Sequence, residues 1–511
     1  MVTLAFIISQ LAGLARQILV AKAFGTSPAL EAFTAANRVS ETLFVLVAGG
    51  ALGSAFIPTF SSLLSREGED KAWKLASAVL NLSLLILILL SAIAALFAPQ
   101  IVRYILAPGF SANPAQEAMA IRLTRIMLPS VVLFGLSGVV MSILNARQVF
   151  FVPALTPSMY QIGLIFGVLV LAPSMGIYGL AWGVIIGAAL HLLLQIPALL
   201  RLDGSYSTSL GLAFQPVREV ARLLGPRLIG VAVVQFNFWV NINLASRQPT
   251  GSVVAITYAF TLMLMPQAAI AQSIATAALP TFSTQVAENR QQDMRRSLAA
   301  SLRGVTLLAL PAAVGLILLR KPIITLLYQG GEFTARSTQL VAWALLWYGV
   351  GLVSHSLVEI LSRAFYALHD TKTPVLIGSG AMTLNVVLSI AFAALFQRIG
   401  WMPHGGLALA NSLATTIEMV ALLLLMGKRL PGLLDKQEWI GTLKGFAASA
   451  VMGGAVWYWH NALQGAQAWQ VTGGGIVLGL VIYAGCSLLL QVKEARLALR
   501  FLQERFPNLS A

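Results

Sequence analysis

The chain runs to 511 residues, 58% hydrophobic and only 10% charged, against about 25% charged in an ordinary soluble domain. That balance excludes a soluble enzyme or binding module and leaves a polytopic membrane protein. The formal charge of +15 raises nucleic acid as a partner, but the basic residues sit mostly in short loops between apolar stretches, so no nucleic acid is expected.

A membrane-spanning helix needs about 20 mostly apolar residues. On that rule spans are expected near 2–23, 39–64, 76–98, 119–144, 153–173, 177–199, 224–245, 252–282, 301–328, 338–365, 374–396, 404–426, 440–460 and 471–491. The fold class is therefore an all-α polytopic membrane protein with fourteen transmembrane helices. The opening stretch has no basic region ahead of it and no clear cleavage site, so it reads as a span and not as a signal peptide. The sole cysteine, Cys486, lies inside the last span, which rules out a disulfide within the chain.

The spans are written twice. Ile57-Pro58-Thr59-Phe60-Ser61 returns as Leu279-Pro280-Thr281-Phe282-Ser283, 222 residues on. Ala98-Pro99-Gln100-Ile101 answers to Lys321-Pro322-Ile323-Ile324, Pro153 to Pro374, and Gly179-Leu180-Ala181 to Gly406-Leu407-Ala408. Several landmarks in one order at similar spacing mark an internal duplication. The expected organisation is a six-helix lobe over 1–200, a second over 218–427, two extra spans over 438–492 and a basic cytoplasmic tail over 493–511. An even number of spans per lobe makes the repeats parallel, and in such transporters the substrate path lies between them.

Orientation follows from Lys and Arg in the short loops. One set of alternate loops holds Arg66, Lys71, Lys74, Arg147, Arg201, Arg218, Arg290, Arg295 and Lys428, and the tail adds Lys493, Arg496, Arg500 and Arg505. The opposite loops offer little beyond Arg103, Arg247, Arg336 and Arg398, and Arg122, Arg125, Arg320 and Lys321 toward that side within spans four and nine soften the contrast without reversing it. The rich side is expected to be cytoplasmic, with both termini inside.

Charge inside a span is costly and raises a functional hypothesis. Arg16 lies too deep in the first span to reach the interface easily, which points to a water-filled cavity. Its always-charged, forked guanidinium suits a phosphate or carboxylate. Lys22 reads as a snorkelling residue. Arg38 and Glu41 open the second span, and Arg38 admits both readings. In the seventh span Gln235, Asn237, Asn241 and Asn243 either hold helices together or coordinate an ion or sugar. The tenth span carries His355, Glu359 and Arg363 on one face. Glu359 and Arg363 are spaced to pair, and Glu359 with His355 is a candidate proton site. Asn385, Glu418 and His191 read as satisfied packing partners. There is no catalytic constellation, and without a P-loop transport powered by ATP hydrolysis within the chain is not expected; the chain is expected to be a transporter and not an enzyme, without a cofactor.

The run Leu361-Ser362-Arg363-Ala364-Phe365-Tyr366-Ala367-Leu368-His369-Asp370-Thr371-Lys372-Thr373-Pro374 is similar to the strongest signature of the MurJ (MviN) lipid II flippases. Supporting matches are Gly13-Leu14-Ala15-Arg16, Ala23-Phe24-Gly25, Ala55-Phe56-Ile57-Pro58, Ala107-Pro108-Gly109-Phe110, Ile143-Leu144-Asn145 and Tyr328-Gln329-Gly330-Gly331-Glu332-Phe333-Thr334. The family belongs to the multidrug/oligosaccharidyl-lipid/polysaccharide exporter superfamily, and fourteen spans is its number. The resemblance implies a bacterial cytoplasmic-membrane flippase in peptidoglycan biosynthesis. It would move the polyprenyl-pyrophosphate-linked precursor, lipid II, from the inner to the outer leaflet by alternating access, with the last two spans lining a groove for the lipid tail.

Departures cluster where the family carries charge. Gln10 stands where an arginine is usual, Gln17 follows Arg16 in place of Asp, Glu31 replaces an Asp, Phe44 and Gly49 replace an arginine and a glutamate, and Phe260-Thr261 stands for Asp-Arg. The resemblance implies substrate contacts at Arg16, Arg38, Gln10, Glu41 and Thr261. Coupling to Na+ or H+ is expected at Gln235, Asn237, Asn241, Glu359, His355 and Asn385. Membrane lipids and cell-wall synthesis or division proteins are the expected partners. Competing readings are export of another lipid-linked oligosaccharide or an amphipathic drug, or a non-transporting cell-wall scaffold.

Overall fold

The computed structural model describes residues 2–47, 51–433, 436–463, 465–492 and 494. The basic tail, with Lys493, Arg496, Arg500 and Arg505, and also Gly49 lie outside the described residues. The described chain is helical, with one isolated bridge, Gly330 to Phe333, outside the helices. Its principal helices are α1 (Val2–Phe24), α2 (Pro28–Val47), α3 (Ala51–Glu67), α4 (Glu69–Leu96), α5 (Pro114–Ala146), α6 (Phe151–Phe166), α7 (Ile177–Leu193) and α8 (Gln215–Ser246). There follow α9 (Ser252–Gln267), α10 (Ser273–Ala287), α11 (Gln291–Leu318), α12 (Arg320–Tyr328), α13 (Ala335–Ala367), α14 (Lys372–Arg398), α15 (His404–Arg429), α16 (Lys436–Ala462) and α17 (Ala468–Leu489).

Eleven helices among the described residues are long and apolar enough to cross a membrane. Each has a counterpart among the expected spans; those at 2–23 and 440–460 fall on the single helices Val2–Phe24 and Lys436–Ala462, which are outside the eleven. The expected span at 39–64 falls on two helices, Pro28–Val47 and Ala51–Glu67. The first starts eleven residues early, at Pro28, where Ser27 accepts the Leu30 N–H through its hydroxyl at 3.3 Å. Proline at the first helical position and a serine before it form a start signal. The same helix carries Glu31, Arg38 and Glu41, too much charge for a plain lipid-facing span.

By compactness the chain forms two units, Met1–Val254 with Gly330–Thr334, and Ala255–Gln329 with Ala335–Ala511. Duplication and compactness divide the chain differently: α8, the opening helix of the second repeat by sequence, packs within the first unit. There the Trp239 indole N–H donates to the Thr42 hydroxyl at 2.8 Å, and the Asn243 amide donates to the Ile105 carbonyl at 2.6 Å. The Gly109 N–H donates to the Ser246 hydroxyl at 3.1 Å. The Gly330–Thr334 loop belongs to this unit too, because the Glu332 N–H donates to the Lys22 carbonyl at the end of α1, at 2.9 Å. Gly331 sits there with φ +56°, and a Cβ on it would fall 2.4 Å from the Lys22 oxygen, so both conformation and space demand glycine.

The repeated pentapeptide plays the same part in each unit. Pro58 and Pro280 lie inside α3 and α10. Phe60 is fully buried with Phe56, Leu75 and Ile143, and Phe282 with Ile360, Phe365 and Met426. Side chains of this size stabilise by about 1.5–3 kcal/mol each when taken out of water, which explains an aromatic residue at both copies.

Candidate functional site

Asn37, Arg38 and Glu41 fall on one side of α2 through their three- and four-residue spacings. The Asn37 amide donates to one Glu41 oxygen at 2.7 Å, and Arg38 Nη1 meets the other at 2.9 Å. The Arg38 guanidinium also lies over the Phe238 ring of α8, 4.8 Å from its centroid, a cation–π contact. Its Nε is buried without a hydrogen-bond partner.

These residues line a cavity of about 380 Å³ in the first unit. Its apolar wall is aromatic: Phe134 of α5 packs against Phe44 at 4.9 Å, Tyr160 of α6 at 5.1 Å and His191 of α7 at 5.5 Å. Gln161 and Gln235 add amides to the polar wall. The His191 Nδ1 and the Ser137 hydroxyl are hydrogen-bonded at 2.6 Å. The wall is held by close contact of α6 with α7. Gly163 faces Gly187, and a Cβ on Gly163 would come 2.2 Å from the Gly187 Cα. Gly179, Gly183 and Gly187 recur every four residues along one stripe of α7, a spacing that lets helix backbones touch.

Arg16 reaches this neighbourhood from α1, which packs on α6. It is half-buried, its Nε has no partner, and Tyr160 lies within electrostatic reach of both Arg16 and Glu41. Gln10 is exposed on α1. Thr261 belongs to the second unit, where its hydroxyl donates to the Thr257 carbonyl one turn back, at 2.9 Å.

The six expected coupling residues are dispersed. Gln235 lines the cavity and accepts the Thr42 hydroxyl at 3.4 Å. Asn241 donates to Asn237 at 3.0 Å along α8. In the second unit the one-faced ladder of α13 splits: His355 Nε2 meets Asn411 at 3.0 Å and Thr415 at 3.3 Å on α15, while Glu359 pairs with Arg363 at 2.6 Å. Asn385 is buried and accepts the Ser389 hydroxyl at 3.3 Å.

Sequence reasoning missed Asn37, Tyr160 and Gln161. Only Asn37 carried a usable signal, its four-residue step to Glu41. Glu31, which stands where the family carries Asp, has a structural role. It is buried and accepts the N–H groups of Gly251 at 2.9 Å and Val253 at 3.0 Å, and the Gln116 amide at 3.3 Å. A carboxylate on those N–H groups caps the start of α9.

The second unit has a larger hollow, about 630 Å³, along the end of α15. Among the described residues, Lys428 is the one charged residue lining it, without the paired polar chemistry of the first.

The fold is similar to that of a multidrug resistance MATE family transporter of the MOP superfamily in an inward-facing conformation. That match has a TM-score of 0.70 at 17% identity and covers 83% of this chain and 95% of that one. That likeness is one of fold: an all-helical bundle with many long apolar helices. A lipid II flippase MurJ in an inward closed conformation matches with a TM-score of 0.81 at 28% identity, over 96% of this chain and 98% of that one. The lipid II flippase MurJ of Burkholderia cenocepacia is 31% identical over 89% of this chain and 87% of its own length. The probable lipid II flippase MurJ of Vibrio cholerae is 30% identical over 95% and 94%. The model of the family "Lipid II flippase MurJ" matches residues 20–472. The chain belongs to the lipid II flippase MurJ family.

Proposed function

We propose that this chain is a lipid II flippase, a transporter and not an enzyme. It carries the lipid-linked peptidoglycan precursor from the inner to the outer leaflet of the bacterial cytoplasmic membrane by alternating access. The observation that supports this most is the coincidence of near-full-length family similarity with a cavity that presents Arg38 beside an aromatic wall. A pyrophosphate needs guanidinium donors, each charge-assisted hydrogen bond contributing about 1.5–3 kcal/mol. A saccharide finds ring faces and amides beside them. Arg38 and Arg16 are the groups assigned to the pyrophosphate, while the lipid tail stays in the bilayer. Fourteen spans, cytoplasmic termini, coupling to Na+ or H+ and contacts with cell-wall synthesis or division proteins belong to the same reading.

The test is complementation of a bacterial strain depleted of its own lipid II flippase. The wild-type gene is expected to restore growth and cell shape. Arg38→Ala is expected to reach the membrane in normal amount and fail to restore them. Full rescue by Arg38→Ala would remove that arginine from the mechanism, and no rescue by the wild type would remove lipid II as substrate.

A further inference from the structure

We infer that Glu41 is a built-in counter-ion that occupies Arg38 until the anionic headgroup takes its place, and that the displaced carboxylate then takes up a monovalent cation. The inference rests on the flippase reading for the identity of the headgroup. Its support is geometric. A carboxylate is a poor ligand for a pyrophosphate, yet Glu41 lines the same cavity as Arg38. Both of its oxygens are engaged, one by Asn37 at 2.7 Å and the other by Arg38 at 2.9 Å. Its side chain is nonetheless 42% exposed, against 21% for Arg38, so it has room to swing while the guanidinium is held over Phe238. An anion entering the cavity therefore meets an arginine already paired.

Charge balance gives the second half. Among the described residues, the formally charged groups that line the cavity are Arg38 and Glu41, which cancel. Among the described residues, the other charged or titratable groups around Glu41 are Arg16 from α1, Tyr160 from α6 and His191 from α7. A pyrophosphate diester brings two negative charges. With Glu41 neutralised by a bound cation, Arg16 and Arg38 match them; with Glu41 bare, one negative charge is left over in a low-dielectric site, where it is costly. Anion and cation thus enter together, and the carboxylate links substrate binding to the cation.

The test is binding of lipid II, and in parallel of a prenyl pyrophosphate capped as its methyl diester, which keeps two charges and has no saccharide, to the purified full-length protein in detergent. In one arm pH varies at fixed Na+; in the other Na+ varies at fixed pH. Wild-type affinity is expected to rise with the cation it uses, approaching about tenfold per tenfold change in that cation, as one-site linkage requires. Glu41→Gln, which keeps size and the Asn37 contact, is expected to bind at least tenfold more tightly at low cation and to lose the dependence. Arg38→Gln/Glu41→Gln is expected to return to weak binding, which separates loss of a competitor from general loosening. Equal or weaker binding by a folded Glu41→Gln protein, or an unchanged cation dependence, overturns the inference. If the prenyl pyrophosphate behaves as described and lipid II does not bind, the counter-ion stands and the substrate assignment fails.

Discussion

At the scale of single residues, the run at 361–374 acts most visibly through Asp370. Its carboxylate accepts the Thr373 N–H at 3.0 Å and the Thr373 hydroxyl at 2.6 Å, and pairs with Arg429 at the end of α15. The guanidinium of Arg429 lies over Phe365, 5.3 Å from the ring centroid. One side chain thereby fixes the start of α14 and ties the 368–371 turn to α15. The Thr373 hydroxyl and N–H, then Arg429, hold the Asp370 carboxyl below the usual carboxylate range. A carboxyl lowered in the folded state contributes stability in full above its unfolded value, about 4, and loses it as pH falls through the lowered value. Thermal unfolding in detergent between pH 3 and 7 (roughly the range that brackets that value) should therefore show a falling melting temperature at the acid end. Asp370→Asn should melt lower than wild type at neutral pH and show a smaller acid drop. An unchanged acid drop in Asp370→Asn would assign the effect to another carboxylate. None of this was legible beforehand, because a signature names residues without naming the partner on another helix.

At the scale of elements, the helices were legible and their contacts only partly so. Hydropathy marks α4 through α7 because a lipid-facing side must be apolar whatever the helix packs on. It fails at α2, where three charged residues dilute the apolar signal and a start signal at Ser27-Pro28 governs the boundary instead. The α6–α7 contact shows what hydropathy cannot reveal: the glycine stripe matters through what is absent. A methyl on Gly163 would collide with the Gly187 backbone, and backbone has no rotamer to move. Gly163→Ala is expected to push the two helices apart and destabilise the protein by about 1–3 kcal/mol, as overpacking does. It should also weaken transport, since Tyr160 lies on α6 and lines the cavity. Gly485 in α17 has open space around it, and Gly485→Ala should leave the melting temperature unchanged or slightly raised. Melting curves of the two variants make the comparison; equal shifts would show that close approach is not what Gly163 provides.

At the scale of the whole molecule, the duplication was legible because two copies of one sequence share landmarks such as Phe60 and Phe282. Which repeat α8 packs with was not, because packing depends on side chains from both copies. Topology is the property on which the remaining expectations depend, and it obeys parity. The expected spans 2–23, 39–64 and 440–460 lie outside the eleven helices that qualify by length and composition; the first two share one prediction and the third makes its own. With cytoplasmic termini and fourteen spans, Arg201 follows an even number of crossings and lies inside, Arg398 follows an odd number and lies outside, and Ala462 at the end of α16 lies outside. Cys486 is the only cysteine, so a Cys486→Ala background permits Arg201→Cys, Arg398→Cys and Ala462→Cys to be labelled one at a time. A membrane-impermeant maleimide applied to intact spheroplasts is expected to label Arg398→Cys and Ala462→Cys at once, and Arg201→Cys only after lysis. If either of the first two spans fails to cross, Arg201→Cys and Arg398→Cys still lie on opposite sides, but with their sides exchanged relative to the N-terminus. If α16 fails to cross, Ala462→Cys alone is silent until lysis. Labelling therefore tests the span count independently of transport, because a change of one crossing reverses every loop beyond it.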